Sequence, residues 1–307
     1  MKAAFFMKNG GPEVLQYGDV PDPVAGPGQV LVDVHAASVN GADWKVRTGA
    51  YRPITRFPYV MGRDFSGVVS ALGAGVTDLK VGDPVFGVVE QVDDGCYAEK
   101  VAIKAAIVAK KPDSLSHVET AALALIGLTA LVSIEDTLKL KSGETILIQG
   151  GAGGVASFAL QVAKHIGARV ITTASAANHD YLRKLGADQI IDYTRQDFTK
   201  VVSGVDAVFD TVGDDTVKGS FAVLRPGGRA AFIGSGAAAP ASPRSDAVSL
   251  RPKVGRDRAH LERIVELVGK GAVKLPEIKV YSLKEAAEAH RVSEGRHLRG
   301  KLVFKVR

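Results

Sequence analysis

Short apolar runs alternate with longer amphipathic ones between positions 145 and 193, and the alternation predicts the order strand, turn, helix, strand, helix, strand. Residues 145–149 form a mostly β-branched run suited to a strand buried on both faces, and it stops where the glycines begin. A helix is expected over 155–166, a second strand over 169–174, the end of a second helix at 182–186 and a third strand over 189–192. Two more strands, 207–210 and 229–233, each follow a Gly-containing turn, and a loop rich in Ala, Pro and Ser (237–244) precedes a sixth at 247–251. This succession predicts an α/β fold with an open, doubly wound parallel sheet, whose ligands sit at the carboxyl ends of the strands.

The flanking segments follow other patterns. Up to about residue 117, short strand-like runs (2–7, 29–36, 60, 67–71, 83–89 and 97–103) are joined by links rich in Gly, Pro and Asp. With no regular helical period, they predict a compact all-β domain, rolled or partly closed into a barrel. Residues 116–138 then turn helical in composition, with Ser116 as N-cap, Glu119 as its capping-box partner and an apolar face through Ala121, Leu125 and Leu128. After 251, a helix near 261–267 and strands near 278–280 and 301–306 have no partner sheet nearby in sequence and are expected to return to the first domain. The division expected is therefore 1–118 with 252–307 in one domain and 119–251 in the other.

The turn after the 145–149 strand carries the first chemistry. Gly150, Gly151, Ala152, Gly153, Gly154, Val155 and Ala156 fit G-x-G-x-x-A from Gly151, and also the variant G-x-x-G-x-x-A from Gly150. Glycine permits positive φ and close approach to a pyrophosphate, and Ala156 lets the next helix pack near the strand. The helix start offers free amides and a dipole that favours an anion. A glycine turn in this βαβ context points to a dinucleotide. NAD sites usually place a carboxylate about 20 residues beyond the glycines, whereas this chain has Thr173, Ala174, Ser175 and Ala176. A neutral site with Ser175, Asn178, His179, Arg183 and Tyr193 in reach suits a 2′-phosphate, so NADPH is favoured over NADH. Taken singly, His179 and Arg183 are equally well explained as loop and cap residues. The loops Thr211-Val212-Gly213 and Gly234-Ser235-Gly236 are expected to line the cofactor cleft.

Composition narrows the function classes. With 307 residues, 46% of them hydrophobic, the chain can bury two cores. Lys and Arg number 39 against 33 Asp and Glu, and the net charge of +6 favours anionic ligands. The basic excess is dispersed; its densest part, 251–263, is broken by Asp257 and Glu262 and has no aromatic residue to stack on a base, which argues against nucleic acid. Cys96 is the only cysteine, so no intrachain disulfide forms and a reducing, cytoplasmic setting is expected. The start of the chain lacks a signal-peptide core. The uncharged stretch 145–163 is broken by its glycines and 120–134 is too short to span, so no membrane partner is expected.

Taken in order, the motifs resemble those of the medium-chain dehydrogenase/reductases, in the zinc-free NADPH:quinone oxidoreductase (zeta-crystallin-like) branch with its alkenal reductase relatives. They are Gly26-Pro27-Gly28-Gln29-Val30-Leu31-Val32, Val39-Asn40, Asp43-Trp44-Lys45 with Arg47, Gly62-Arg63-Asp64-Phe65-Ser66-Gly67, Val81-Gly82-Asp83-Pro84-Val85-Phe86-Gly87, Gly95-Cys96-Tyr97-Ala98-Glu99, Leu128-Thr129-Ala130, the glycine turn and Arg299-Gly300-Lys301-Leu302-Val303. The resemblance covers nearly the whole length. It implies a GroES-like β domain beside a Rossmann domain, with the active site between them.

Zinc alcohol dehydrogenases of the same superfamily need three ligands for catalytic zinc and four for structural zinc. This chain has Asn40 where they place the first cysteine and Gly62-Arg63-Asp64 in place of Gly-His-Glu. It also lacks the cysteine-rich lobe, and its seven histidines are scattered with surface or capping roles expected. No metal is expected. Without a Lewis acid the hydride acceptor must be a ready electrophile, a quinone or an α,β-unsaturated carbonyl.

The resemblance implies Asn40 near the nicotinamide, Lys45 touching cofactor or substrate, and Thr129 at the carboxamide. Tyr51 is a candidate hydrogen-bonding partner or proton donor for the substrate carbonyl. A turn role for Asn40, surface exposure for Lys45 and a covering role for Tyr51 beside Arg52-Pro53 remain open. The candidate catalytic set is Asn40, Lys45 and Tyr51. The candidate cofactor set is Asn40, Thr129, Gly150, Gly151, Gly153, Gly154, Val155, Ser175, Asn178, Tyr193, Val212, Gly234 and Ser235. A non-catalytic NADPH-binding protein of the same fold is the alternative reading. A homodimer through the edge strand at 247–251 is expected.

Overall fold

In the computed structural model of the protein, which describes residues 1–51, 54–90, 95–236 and 238–307, the N-terminal apolar runs become strands. They are β1 (Lys2–Phe6), β2 (Gln16–Asp19), β3 (Gln29–Val39), β4 (Tyr59–Val60), β5 (Asp64–Leu72), β6 (Pro84–Val88), β7 (Lys100–Lys104) and β8 (Val108–Lys110). β3 is the spine. Its first seven residues alternate between half-buried and buried, as the period-2 pattern of Val30, Val32 and Val34 demands, and its last four are buried on both faces. The end of β3 runs into α1 (Gly41–Arg47), which corrects the expectation of an all-β segment. Seven residues are too few for a helical period to register. What fixes this helix is its start, where the Asn40 N–H donates to the Asp43 carboxylate at 2.8 Å.

α2 (His117–Leu131) starts on the expected capping box: the Ser116 N–H and hydroxyl donate to Glu119 at 2.8 and 2.7 Å, and the Glu119 N–H returns a bond to Ser116 Oγ at 3.2 Å. The expected one-sided apolar face is not found. Ala121, Ala122, Leu123, Ala124, Ile126 and Leu128 are all buried, and Leu125, placed on the apolar face, is only half-buried. The helix continues as a π-helical segment, Val132–Thr137, where the Ser133 hydroxyl donates back to the Thr129 carbonyl at 2.7 Å. The run His117–Thr137 is 21 residues, so the judgement of too short to span is corrected on length, although 72% of its most apolar window is buried within the protein, as in a core helix.

The remaining elements are β9 (Thr145–Gln149), α3 (Gly154–Ile166), β10 (Arg169–Thr173), α4 (His179–Lys184), β11 (Gln189–Ile191), β12 (Val205–Asp210), α5 (Val217–Ala222), β13 (Leu224–Phe232), β14 (Val248–Leu250), α6 (Arg258–Gly269), β15 (Ile278–Tyr281), α7 (Ala286–Glu294) and β16 (Lys301–Lys305). The loop expected at 237–244 begins on Ala237, outside the described residues.

Two compact units result. The first comprises Met1–Leu125, Arg256–Glu266 and Leu275–Arg307. It holds a three-stranded sheet, β2-β1-β4, and a seven-stranded one, β15-β16-β3-β5-β6-β8 with β7 also on β3. The late strands return to it as expected: β16 pairs antiparallel with the end of β3, Leu302 opposite Val39. Phe6, Val32, Phe65, Tyr97, Leu302 and Phe304 pack in its core. The second unit comprises Ile126–Gly255 and Leu267–Lys274. Its six strands run parallel in the order β11-β10-β9-β12-β13-β14. α3 packs on β9 and β10, and α5 on β12 and β13. The fold is mixed α/β, a Rossmann-like parallel sheet with a GroES-like domain.

His290 departs from the surface or capping role expected of the histidines. It is fully buried on α7, where Arg47 donates to its Nδ1 at 2.9 Å; Arg47, itself fully buried, also bonds Gly10 O and Glu294 Oε1. Burial, and then the Arg47 charge, lower its pKa to about 3.

Candidate cofactor and active site

In the parallel sheet, strand order reverses between β9 and β12, with β10 on the other side of β9. Ligands of doubly wound folds sit at the carboxyl end of such a switch point. The glycine turn stands there. Gly150 has φ +74°, and a Cβ on it would come within 3.0 Å of both Thr211 Oγ1 and Val212 Cγ2. Gly151 has ordinary φ but no room, since a Cβ would lie 2.2 Å from Thr172 Oγ1. The turn is tied to β10 by bonds from the Gly150 N–H to Thr173 Oγ1 and from the Gly151 N–H to Thr173 O, both 3.0 Å. The Thr173 hydroxyl in turn donates to Gln149 Oε1 at 2.7 Å. This relay was not legible in the sequence, because it joins the ends of two strands.

α3 begins at Gly154 behind Gly153, whose missing side chain supplies no cap. Among the described residues no side-chain cap therefore competes with a ligand for the first amides, those of Gly154 and Val155. Beyond β12 and β13 two loops stand in backbone contact. A Cβ on Gly213 would lie 2.7 Å from Gly234 C, and one on Gly234 would lie 2.5 Å from Val212 C. Asp210, fully buried at the end of β12, fixes the first of these loops: its carboxylate accepts from the Val212 and Gly213 amides and from the Thr216 and Ser220 hydroxyls. Two buried polar atoms here, Gln149 Nε2 and Ser235 Oγ, have no hydrogen-bond partner among the described residues. The uncapped helix start, the glycine-lined cradle and these orphaned donors fit the phosphates and polar rim of a dinucleotide.

At the end of β10, Asn178 Nδ2 donates to Ser175 Oγ at 3.2 Å, which brings these two candidates together. His179 Nε2 lies 3.3 Å from Ala174 O, and Arg183 pairs with Asp180 at 2.6 Å on the surface. Tyr193 follows β11 and is exposed. Thr129 is buried on α2 in the same unit.

The other candidates belong to the β-rich unit. Asn40 is the residue before α1, buried, and its Oδ1 accepts from Lys301 Nζ at 2.7 Å. Around it Ser38 Oγ donates to Asp64 Oδ2 at 2.6 Å, and Tyr97 donates to Asp43 at 2.7 Å. Burial pushes the Asp43 carboxyl up to about 6 despite the bonds from Tyr97 and Asn40, and burial also raises Asp64. Lys45 lies over the Trp44 ring, and its carbonyl accepts from the Tyr51 N–H at 3.1 Å. Tyr51 is exposed; Arg52 and Pro53 lie outside the described residues. Arg63 donates to Tyr59 Oη and to Glu90 O. Among the described residues, no three His, Cys, Asp or Glu side chains converge as a metal would require. Sequence reasoning quoted Asp64 and Lys301 only as motif members; their joining to Asn40 depends on the pairing of β16 with β3.

Residues 26–113 match the alcohol dehydrogenase GroES-like domain family and residues 185–304 the zinc-binding dehydrogenase family. A 2-haloacrylate reductase of a Burkholderia species is 33% identical, covering 98% of each chain. The quinone oxidoreductase of Coxiella burnetii superposes with a TM-score of 0.92 at 36% identity over 100% of this chain and 99% of that one. The Escherichia coli quinone oxidoreductase, solved with NADPH, gives 0.92 at 29% identity over 100% of both. The chain thus belongs to the medium-chain dehydrogenase/reductase superfamily. Within it, the similarity lies with the quinone oxidoreductases.

Proposed function

We propose that this chain is a zinc-independent oxidoreductase that uses NADPH to reduce a quinone or an α,β-unsaturated carbonyl compound. The observation that carries the reading is the uncapped start of α3 behind a glycine turn locked to β10, at the switch point of the parallel sheet. The relatives supply the acceptor class: quinone and haloacrylate reductases match the chain along its whole length, and one was solved with NADPH.

The Gly154 and Val155 amides and the α3 dipole bind the pyrophosphate, with Gly150, Gly151 and Gly153 leaving it room. Ser175, Asn178 and Tyr193 hold the adenosine 2′-phosphate, and Val212, Gly234 and Ser235 line the far wall. Thr129 receives the carboxamide. The nicotinamide, when bound, supplies the hydride. Asn40 donates a hydrogen bond where negative charge develops, Lys45 contacts the cofactor or the acceptor, and Tyr51 hydrogen-bonds the acceptor carbonyl or delivers a proton to it. The zinc-independent assignment rests on the donor set: Asn40 and Arg63 cannot replace a thiolate and an imidazole as zinc ligands.

We further propose that residues 1–118 with 252–307 make the catalytic domain and 119–251 the cofactor domain, and that the protein acts as a cytoplasmic homodimer with no membrane or nucleic-acid partner. The test is steady-state NADPH oxidation against a panel of quinones, alkenals and 2-alkenones, with and without a chelator. Turnover with one class, undiminished by chelator, is expected. No turnover with any acceptor, or activity lost to chelator and restored by zinc, would overturn the proposal.

A further inference from the structure

Lys301 is 3% exposed. Its Nζ donates to Val39 O and Asn40 Oδ1, both at 2.7 Å, and lies 3.8 Å from Asp64 Oδ2. An ammonium group has three donors and no acceptor, so the Asn40 atom facing it must be the amide oxygen. This removes the usual uncertainty over which end of an asparagine amide is which. The nitrogen is turned toward Ser38 O, to which it donates a long bond of 3.4 Å, and toward the Asp64 carboxylate, which it also hydrogen-bonds. Asn40 thus has its acceptor occupied, and of its two donors the one on Ser38 O is held only weakly and is free to turn to a more strongly accepting oxygen. A buried ion pair contributes little to stability compared with apolar residues of similar size, so stability alone is a poor account of Lys301 and Asp64 at this place.

We infer that Lys301 is a positioning residue for the reaction: by holding Asn40 Oδ1 it commits the amide to act through its nitrogen, as a hydrogen-bond donor to the oxygen that gains charge. The inference rests on the proposed role of Asn40. Asp64 balances the Lys301 charge, and Ser38 fixes the Asp64 carboxylate.

Four variants test it in steady-state assays, with NADPH affinity and Tm measured in parallel. Asn40→Asp keeps an acceptor for Lys301 but has no donor; it is expected to fold and bind NADPH while losing about a hundredfold in kcat, as Asn40→Ala does. The charge-neutral pair Lys301→Met with Asp64→Asn is expected to lower kcat about tenfold in the wild-type background and less than about twofold in Asn40→Ala, where nothing remains to be positioned. Unchanged kcat in Asn40→Ala would remove the active-site reading beneath the inference. A large loss in Asn40→Ala with wild-type kcat in Asn40→Asp, or with a full additive loss from the pair, would overturn the inference alone. Should the pair fail to fold, Asn40→Asp decides.

Discussion

Replacing Gly234 with alanine tests whether the two loops beyond β12 and β13 form one wall of the cofactor site. The new Cβ would stand 2.5 Å from Val212 C, 2.6 Å from Val212 O and 2.7 Å from Gly213 N, where ordinary contact begins at 3.4 Å. All three neighbours are backbone, so no side chain can rotate away, and the loops must part by about 0.9 Å at the closest atom. Forced overpacking of this kind costs about 1–3 kcal/mol. In a protein of this size each kcal/mol lowers Tm by roughly 2–4 °C. Because Val212 and Ser235 move with the loops, NADPH affinity is expected to fall at least about tenfold, which corresponds to about 1.4 kcal/mol. Gly227→Ala is the control. It has φ +73° and its nearest neighbour for a Cβ is 3.6 Å away, so it carries left-handed strain of about 1–2 kcal/mol at the far end of β13. Tm should fall in both variants and affinity only in Gly234→Ala, read by fluorescence titration and thermal melts. Wild-type NADPH affinity in Gly234→Ala, at lowered Tm, would refute the assignment of these loops to the cofactor site.

NADPH is expected to bind at least about tenfold tighter than NADH, since Ala174, Ser175 and Ala176 directly after β10 include no carboxylate to repel a 2′-phosphate; equal affinities in a titration would refute the Ser175, Asn178 and Tyr193 pocket. The His290 pKa, depressed to about 3, lies below its ordinary value of 6.5, so the neutral ring contributes stability above about pH 6.5 that is lost as pH falls toward 3. The stability difference between wild type and His290→Gln should accordingly be flat above that pH and change by up to about 1.4 kcal/mol per pH unit below it. Asp43, raised to about 6, acts with the opposite sign, but it is present in both proteins and cancels in the difference. β14 is the edge of the parallel sheet, with Val248 half exposed on it; light scattering at micromolar concentration is expected to give a dimer, and Val248→Lys to shift it toward monomer.

The sequence by itself determined whatever depends on neighbours in the chain. Thr145–Gln149 is a strand because four apolar or β-branched residues and Gln149 lead up to a glycine, and the Ser116–Glu119 capping box needs only three residues of separation. The glycine turn between strand and helix was legible for the same reason. Tertiary structure decided what depends on meeting a distant segment. α2 is buried nearly all round, so its side chains carry no one-sided pattern to read. Arg47 and His290 look like surface residues until α1 and α7 bury each other's polar groups. Lys301 meets Asn40 because β16 pairs with the end of β3, two segments more than 250 positions apart. That pairing fixes which end of the Asn40 amide faces Lys301, a matter on which local sequence is silent.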